Sequence, residues 1–205
     1  MSGIKLTFIN KSEDLNNNIV VFQNNVAEKH DNFAIAWKVI KNSGRLDSHP
    51  FTFSNNFEIN TSDSYGNFTP RLTTYLGQTY EMVKRNSGDV LQLSKTFASS
   101  VNVVEIKNGL AVGVIDASCY KDGNLLATKK GITPGQKASF EFNSKIYIGV
   151  ASQIEEGSLL NSEMQSKINS EINLIGISSA DIVMTGGGTG ADATPFEFTL
   201  ENIKN

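Results

Sequence analysis

The feature that narrows this chain most is the close spacing of its turn-forming residues, which leaves room for strands between them and for little else. Asn42-Ser-Gly44, Gly77-Gln78, Asn108-Gly109, Lys121-Asp-Gly-Asn124 and Thr133-Pro-Gly135 interrupt runs that are either apolar or alternate with period two. Asn-Gly and Asp-Gly pairs accept the positive φ that a tight hairpin needs. Alternation places large side chains on one face of a strand. Phe33, Ile35, Trp37 and Val39 make such a face, and Trp37, the single tryptophan, is expected to anchor the core behind it. Pro50 then holds His49 extended before Phe51-Thr-Phe53 begins a second strand.

Ile19-Val-Val-Phe22 is a short apolar run rich in β-branched residues, which predicts a strand buried on both faces after a turn at Asn16-Asn-Asn18. Leu72–Leu76 and Thr79–Val83 flank Gly77-Gln78 as a predicted hairpin. Val101–Ile106, Leu110–Tyr120 and Leu125–Thr128, joined by two tight turns, predict a β-meander. Ile146–Ala151 and Pro195–Leu200 complete the set, the last as a strand paired into a sheet. Between Glu155 and Asn173 the pattern changes: Leu160, Met164, Ile168 and Ile172 fall at i+4 spacing, as on one helical face. Ser and Asn at many other positions weaken a helix interior, so a short helix near residues 158–170 and a further strand both remain open there, with a strand over 172–177. The expected fold is all-β, a single-domain antiparallel β-sandwich over residues 1–205, since a chain of 205 residues fits one sizeable core.

A net charge of −3 and only 19% charged residues give no electrostatic footprint for nucleic acid. The cations are scattered singly apart from Lys84-Arg85 and Lys129-Lys130. No stretch is long and apolar enough to span a bilayer as a helix, and Met1–Phe8 lacks the basic-then-apolar pattern of a secretory signal. The expectation is a cytoplasmic location at synthesis, with release by a signal-less route left open. Cys119, being alone, excludes an intrachain disulfide.

Chemical motifs fare poorly. Gly186–Gly190 follows an apolar strand, where a phosphate loop could begin, but the segment leads to Pro195 and a strand and has neither dinucleotide nor P-loop spacing. A bulge or a close backbone contact at a subunit interface fits it better. His30-Asp31 and Asp47-Ser-His49 set carboxylates beside imidazoles, yet no nucleophile elbow accompanies them. Two histidines and one cysteine offer no zinc spacing. Asp122-Gly-Asn124, Glu155-Glu156 with Glu163, and Asp181 with Asp192 all lack a calcium-loop signature. No catalytic residue, metal or cofactor is expected, and the chain is read as non-enzymatic.

Ile19-Val-Val-Phe-Gln-Asn, Ala36-Trp-Lys-Val-Ile40 with His49-Pro-Phe51, and Ala180-Asp-Ile-Val-Met-Thr-Gly-Gly-Gly188 resemble blocks shared by a family of small bacterial β-rich proteins. The resemblance implies a bacterial source and transfers no catalytic residue. Low charge, long β runs and few lysines in segments such as Val101–Ile106 point to self-association into a homo-oligomer, filament or intracellular assembly, through strand edges and through Gly186, Gly187, Gly188 and Gly190. The alternative is a lectin-like carbohydrate-binding module whose loops present Asn55, Asn56, Tyr65 and Asn67, with Tyr65 and Phe68 exposed. A membrane-active toxin comes last, because the candidate helix after Glu155 lacks a basic face.

Overall fold

The structure, a computed structural model, describes residues 3–13, 17–27, 34–168 and 170–205. The fold is all-β, with one six-residue helix among the described residues. Chain contacts divide it into two compact units, one made of Met1–Gln23, Phe33–Asn55 and Ser144–Asn205, the other of Asn24–Asn32 and Asn56–Asn143. Strands are numbered along the chain.

The first unit holds two four-stranded sheets. One runs in the order β18 (Thr194–Lys204), β17 (Ser179–Gly187), β1 (Ile4–Asn10), β5 (Ser48–Phe53). Its central pair, β1 and β17, is parallel, and both outer pairs are antiparallel. The other sheet, β16 (Ser170–Asn173), β14 (Lys145–Ala151), β2 (Asn18–Phe22), β4 (Lys38–Ile40), is antiparallel throughout. Ile19 to Phe22 are buried on every side, as the unbroken apolar run predicts.

The predicted Trp37 strand is split in two. β3 (Ala34–Ile35) pairs with β15 (Leu159–Leu160), whereas β4 pairs with β2. The break falls at Ala36, whose N–H donates to Ser158 O and whose carbonyl accepts from Gly157 N–H, so this backbone is satisfied outside the large sheets. Trp37 is buried, with its ring edge-on to Phe51 at 6.3 Å and Phe53 at 5.9 Å. Phe33, like Asn16, lies outside the described residues.

The ambiguous segment resolves into both alternatives in miniature. Helix α1 spans only Ser162–Lys167, because the Asn161 side chain caps it by accepting from Met164 N–H at 2.8 Å. Leu160 before the helix and Ile168 after it are the buried members of the i+4 row, joined by Ile172 on β16, while Met164 packs half-buried against them.

The second unit repeats the plan of two four-stranded sheets. One is antiparallel: β12 (Asn124–Ile132), β11 (Ile115–Lys121), β6 (Phe57–Asp63), β7 (Leu72–Thr74). The other is β13 (Lys137–Phe140), β10 (Val104–Asn108), β8 (Gln78–Arg85), β9 (Gly88–Phe97), with β10 and β8 parallel. The sheets face one another: the Thr61 hydroxyl on β6 lies 3.5 Å from Met82 Sδ on β8, and Tyr80 Oη donates to Thr73 O.

Two predicted connections are therefore corrected. Gly77-Gln78 joins strands of different sheets, so it is a crossover and not a hairpin. Asn108-Gly109 likewise leaves one sheet for the other, and the expected meander reduces to the hairpin β11–β12. That hairpin does use its expected turn, with Asp122 at φ 51° and Gly123 at φ 84°. Asn108 instead organises its end of the unit: its Nδ2 donates to Gly113 O and Ile132 O, both at 2.9 Å, and its Oδ1 accepts from Leu110 N–H. Gly109 serves a close approach, since a Cβ there would sit 2.8 Å from Met82 O.

Candidate functional site

The composition-led edge at Val101–Ile106 is not an edge. Its strand, β10, lies between β8 and β13 with both sides paired. The longer of that sheet's two outer strands is β9, with ten residues against four in β13. A two-residue turn, Asn86-Ser87, joins it to β8, with Arg85 opposite Gly88. In such a hairpin that pair is hydrogen-bonded, and alternation then aims the N–H and C=O of Val90 and Gln92 at β8 and those of Asp89, Leu91 and Leu93 outward. Leu91 is buried opposite Met82, but Leu93, opposite Tyr80, remains 56% exposed. The three-residue β7 on the facing sheet is far shorter than β9, so the inner margin of β9 is left open. Phe97 at its end is 90% exposed.

Other long edges carry protection. β18 holds Pro195, Glu197 and Glu201, the last paired with Lys11 at 3.0 Å, and its register shifts twice along β17. β12 carries Lys129-Lys130 beside a register shift, and β5 presents Pro50. β9 has only two charged residues, Asp89 and Lys95, near its ends, with Asp89 held by Lys84 at 3.0 Å; its own register along β8 shifts once, between Leu93 and Phe97. The sequence signal for this edge was Asn86-Ser87-Gly88 followed by Val90, Leu91 and Leu93.

The glycine-rich segment is explained within the chain. Gly186 has φ 88°, and a Cβ there would fall 2.1 Å from Pro195 O, at a register shift between β17 and β18. Gly187, Gly188 and Gly190 also take positive φ as the chain turns toward β18.

The four residues proposed for sugar do not converge. Asn55 and Asn56 are exposed just before β6, whereas Tyr65 and Asn67 follow its far end. A seven-residue strand separates the two pairs by about 20 Å. Tyr65 is 89% exposed, as expected. Beside it, Asp63 Oδ1 accepts from Tyr65 N–H and Asn67 N–H, and Oδ2 from Asn67 Nδ2. These bonds, that from the Asn67 side chain foremost, hold the Asp63 carboxyl below its ordinary range.

Several of the other ionisable groups singled out in the sequence are engaged locally. Asp47 accepts from Gly44 N–H at 2.8 Å, and the buried His49 Nε2 has no hydrogen-bond partner, so the two form no relay. His30 and Asp31 lie outside the described residues. Glu155 pairs with Lys41, Glu163 with Lys167, and Asp181 with Asn202 Nδ2. Among the described residues no three His, Cys, Asp or Glu side chains converge.

Two buried charges escaped the sequence. Glu105 on β10 would be raised by burial alone, but hydrogen bonds from Lys137 Nζ at 2.7 Å and Ser99 Oγ at 2.6 Å outweigh that and hold it low. Lys121, read from the sequence as part of a turn, is buried at the end of β11 with its ammonium 5.2 Å from the Phe57 ring centre, and burial pushes it down to about 7.

Compared with protein-family models, with curated proteins and with solved structures, the chain finds no match in any of the three.

Proposed function

We propose that this is a non-enzymatic β protein that self-associates by pairing β9 with β9 of a second copy. The observation that carries the proposal is the edge itself: ten residues long, sparsely charged, with Leu93 and Phe97 exposed. Side-chain faces match only if paired residue numbers sum to an even value, because a one-residue slip turns a strand over. Antiparallel pairing centred on Gln92 meets that condition. It sets Leu91 opposite Leu93 of the partner subunit, both with outward backbone groups, and Asp89 opposite Lys95 of the partner subunit. The twofold axis repeats both contacts, so opposite charges close each end.

Light scattering after size exclusion tests the edge. Leu93→Pro removes an outward N–H without taking a hydrogen bond from β8, and is expected to give a particle of 22.3 kDa at concentrations where the unaltered chain is larger. Lys95→Asp is expected to weaken association by placing two carboxylates together, and adding Asp89→Lys to restore it. A sharp monomer for the unaltered chain at every concentration would sink the proposal.

A further inference from the structure

A buried carboxylate sits on the outer face of the sheet that β13, β10, β8 and β9 form. Along β10, Val104 and Ile106 face the core beside Phe140, Ala138 and Tyr80, so alternation turns Glu105 to the opposite side. Glutamate is almost never buried without partners, and Glu105 is 3% exposed. Its partners come from three directions. Ser99, in the 98–103 loop between β9 and β10, donates its hydroxyl to Glu105 Oε1 at 2.6 Å and its N–H at 3.2 Å. Lys137 Nζ on β13 donates to the same oxygen at 2.7 Å, and the Thr79 hydroxyl on β8 lies 3.4 Å from Oε2.

The loop is fastened at three places. Ala98 N–H donates to Gly77 O where the loop begins, and Val103 O accepts from Gly77 N–H where it ends. Between them Ser99 to Asn102 are exposed, Val101 by 80%. Val103 N–H and Asn102 N–H turn back onto Ser100, so those bonds stay within the loop. The two bonds from Ser99 to Glu105 are therefore what tie the exposed stretch to the sheet.

These donors suit the ionised carboxylate. The neighbouring charges favour the same state. Lys129 shares a cavity with Lys107 and Lys137, and Glu81 on β8 is paired with Lys107 at 3.4 Å. Burial alone would raise the Glu105 carboxyl, but the bonds from Lys137 and Ser99 overcome it and hold the group below its ordinary range. Protonation undoes the arrangement, because a neutral carboxyl accepts more weakly from Ser99 and no longer attracts the Lys137 ammonium.

We propose that Glu105 and Ser99 form an acid-released latch. Ionised, Glu105 holds the β9–β10 loop on the sheet; protonated, it frees residues 99–102 while both sheets stay folded. The sign follows from linkage: the hold is complete above the ordinary glutamate range and is lost as the pH falls through the lower value of the folded chain. The latch works within one copy, so it does not depend on the pairing of β9.

A nitroxide spin label on the loop tests the latch. Val101→Cys in the full chain takes the label selectively because Cys119 is buried. Its spectrum is expected to be broad at pH 7 and to sharpen below about pH 4, under the ordinary glutamate value, while circular dichroism still reports a folded chain. Glu105→Gln keeps the shape but offers Lys137 no charge, and should give the sharpened spectrum already at pH 7. Ser99→Ala, at an exposed position, leaves the buried carboxyl in place. Loss of its hydroxyl bond should move the label's acid transition up by about one pH unit. A label that gains mobility only when the whole chain unfolds would overturn the latch. So would a folded Glu105→Gln chain that keeps the broad spectrum at pH 7, or a Ser99→Ala chain that titrates like the native one.

Discussion

A lysine ammonium taken out of water leaves a mark on stability, and Lys121 is placed to do so. Its folded-state value, about 7, lies well below the 10.5 of the exposed side chain. Between those values the unfolded chain binds a proton that the folded chain does not, so stability rises with pH across the window, by a few kcal/mol if fully expressed. Below pH 7 the cost of burying the charge is present in full. Cys119 acts in the opposite sense above pH 9, because burial pushes its thiol up to about 12. The clean interval is therefore pH 7 to 9, where thermal unfolding should show the native chain gaining stability. Lys121→Met, which keeps an unbranched side chain but removes the ammonium from the face of Phe57, should flatten that rise. An unchanged slope in the variant would show that another group titrates there.

Elements were legible where the signal was local. The apolar run at Ile19–Phe22, the Asp122-Gly123 turn and the alternation of Pro195–Leu200 each reflect chemistry within a few residues, and each forms as expected. Which strand pairs with which is not local. Gly77-Gln78 and Asn108-Gly109 have the composition of hairpin turns, yet both carry the chain between sheets, because their neighbours complete different layers. The same limit hid the candidate edge: periodicity marks Val101–Ile106 as a β segment but cannot say that β8 and β13 flank its strand. The Tyr65 loop was legible as exposed, and its distance from Asn56 was not. Asn108 offers a test of the distinction. In a two-residue hairpin turn Asp serves nearly as well as Asn, but here Nδ2 donates to two carbonyl oxygens. Asn108→Asp replaces those donors with a buried carboxylate oxygen facing acceptors, so chemical denaturation should report a loss of about 3 kcal/mol or more. A loss of only a few tenths would restore the hairpin description of this connection.

At the scale of the whole molecule, the number of usable edges decides what kind of assembly can form. A filament needs two complementary surfaces that do not close on each other, whereas a twofold pairing consumes the same surface on both copies. β9 is self-complementary about Gln92, and once paired it is no longer an edge. Of the other long margins, β18 is guarded by Pro195, Glu197 and Glu201 and by two register shifts, and β12 by Lys129-Lys130. Assembly through β9 alone should therefore stop at a closed dimer, joining two four-stranded sheets into one of eight. Solution mass should rise with concentration and level off at twice 22.3 kDa. The end contacts between Asp89 and Lys95 of the partner subunit are solvent-exposed ion pairs, so raising the salt should shift the midpoint of that rise to higher concentration without changing the plateau. Mass that climbs past the dimer without limit would mean that a second edge is open. The first strand to alter would then be β18, where replacing Glu197 and Glu201 with lysine should change the growth if that margin is the one in use.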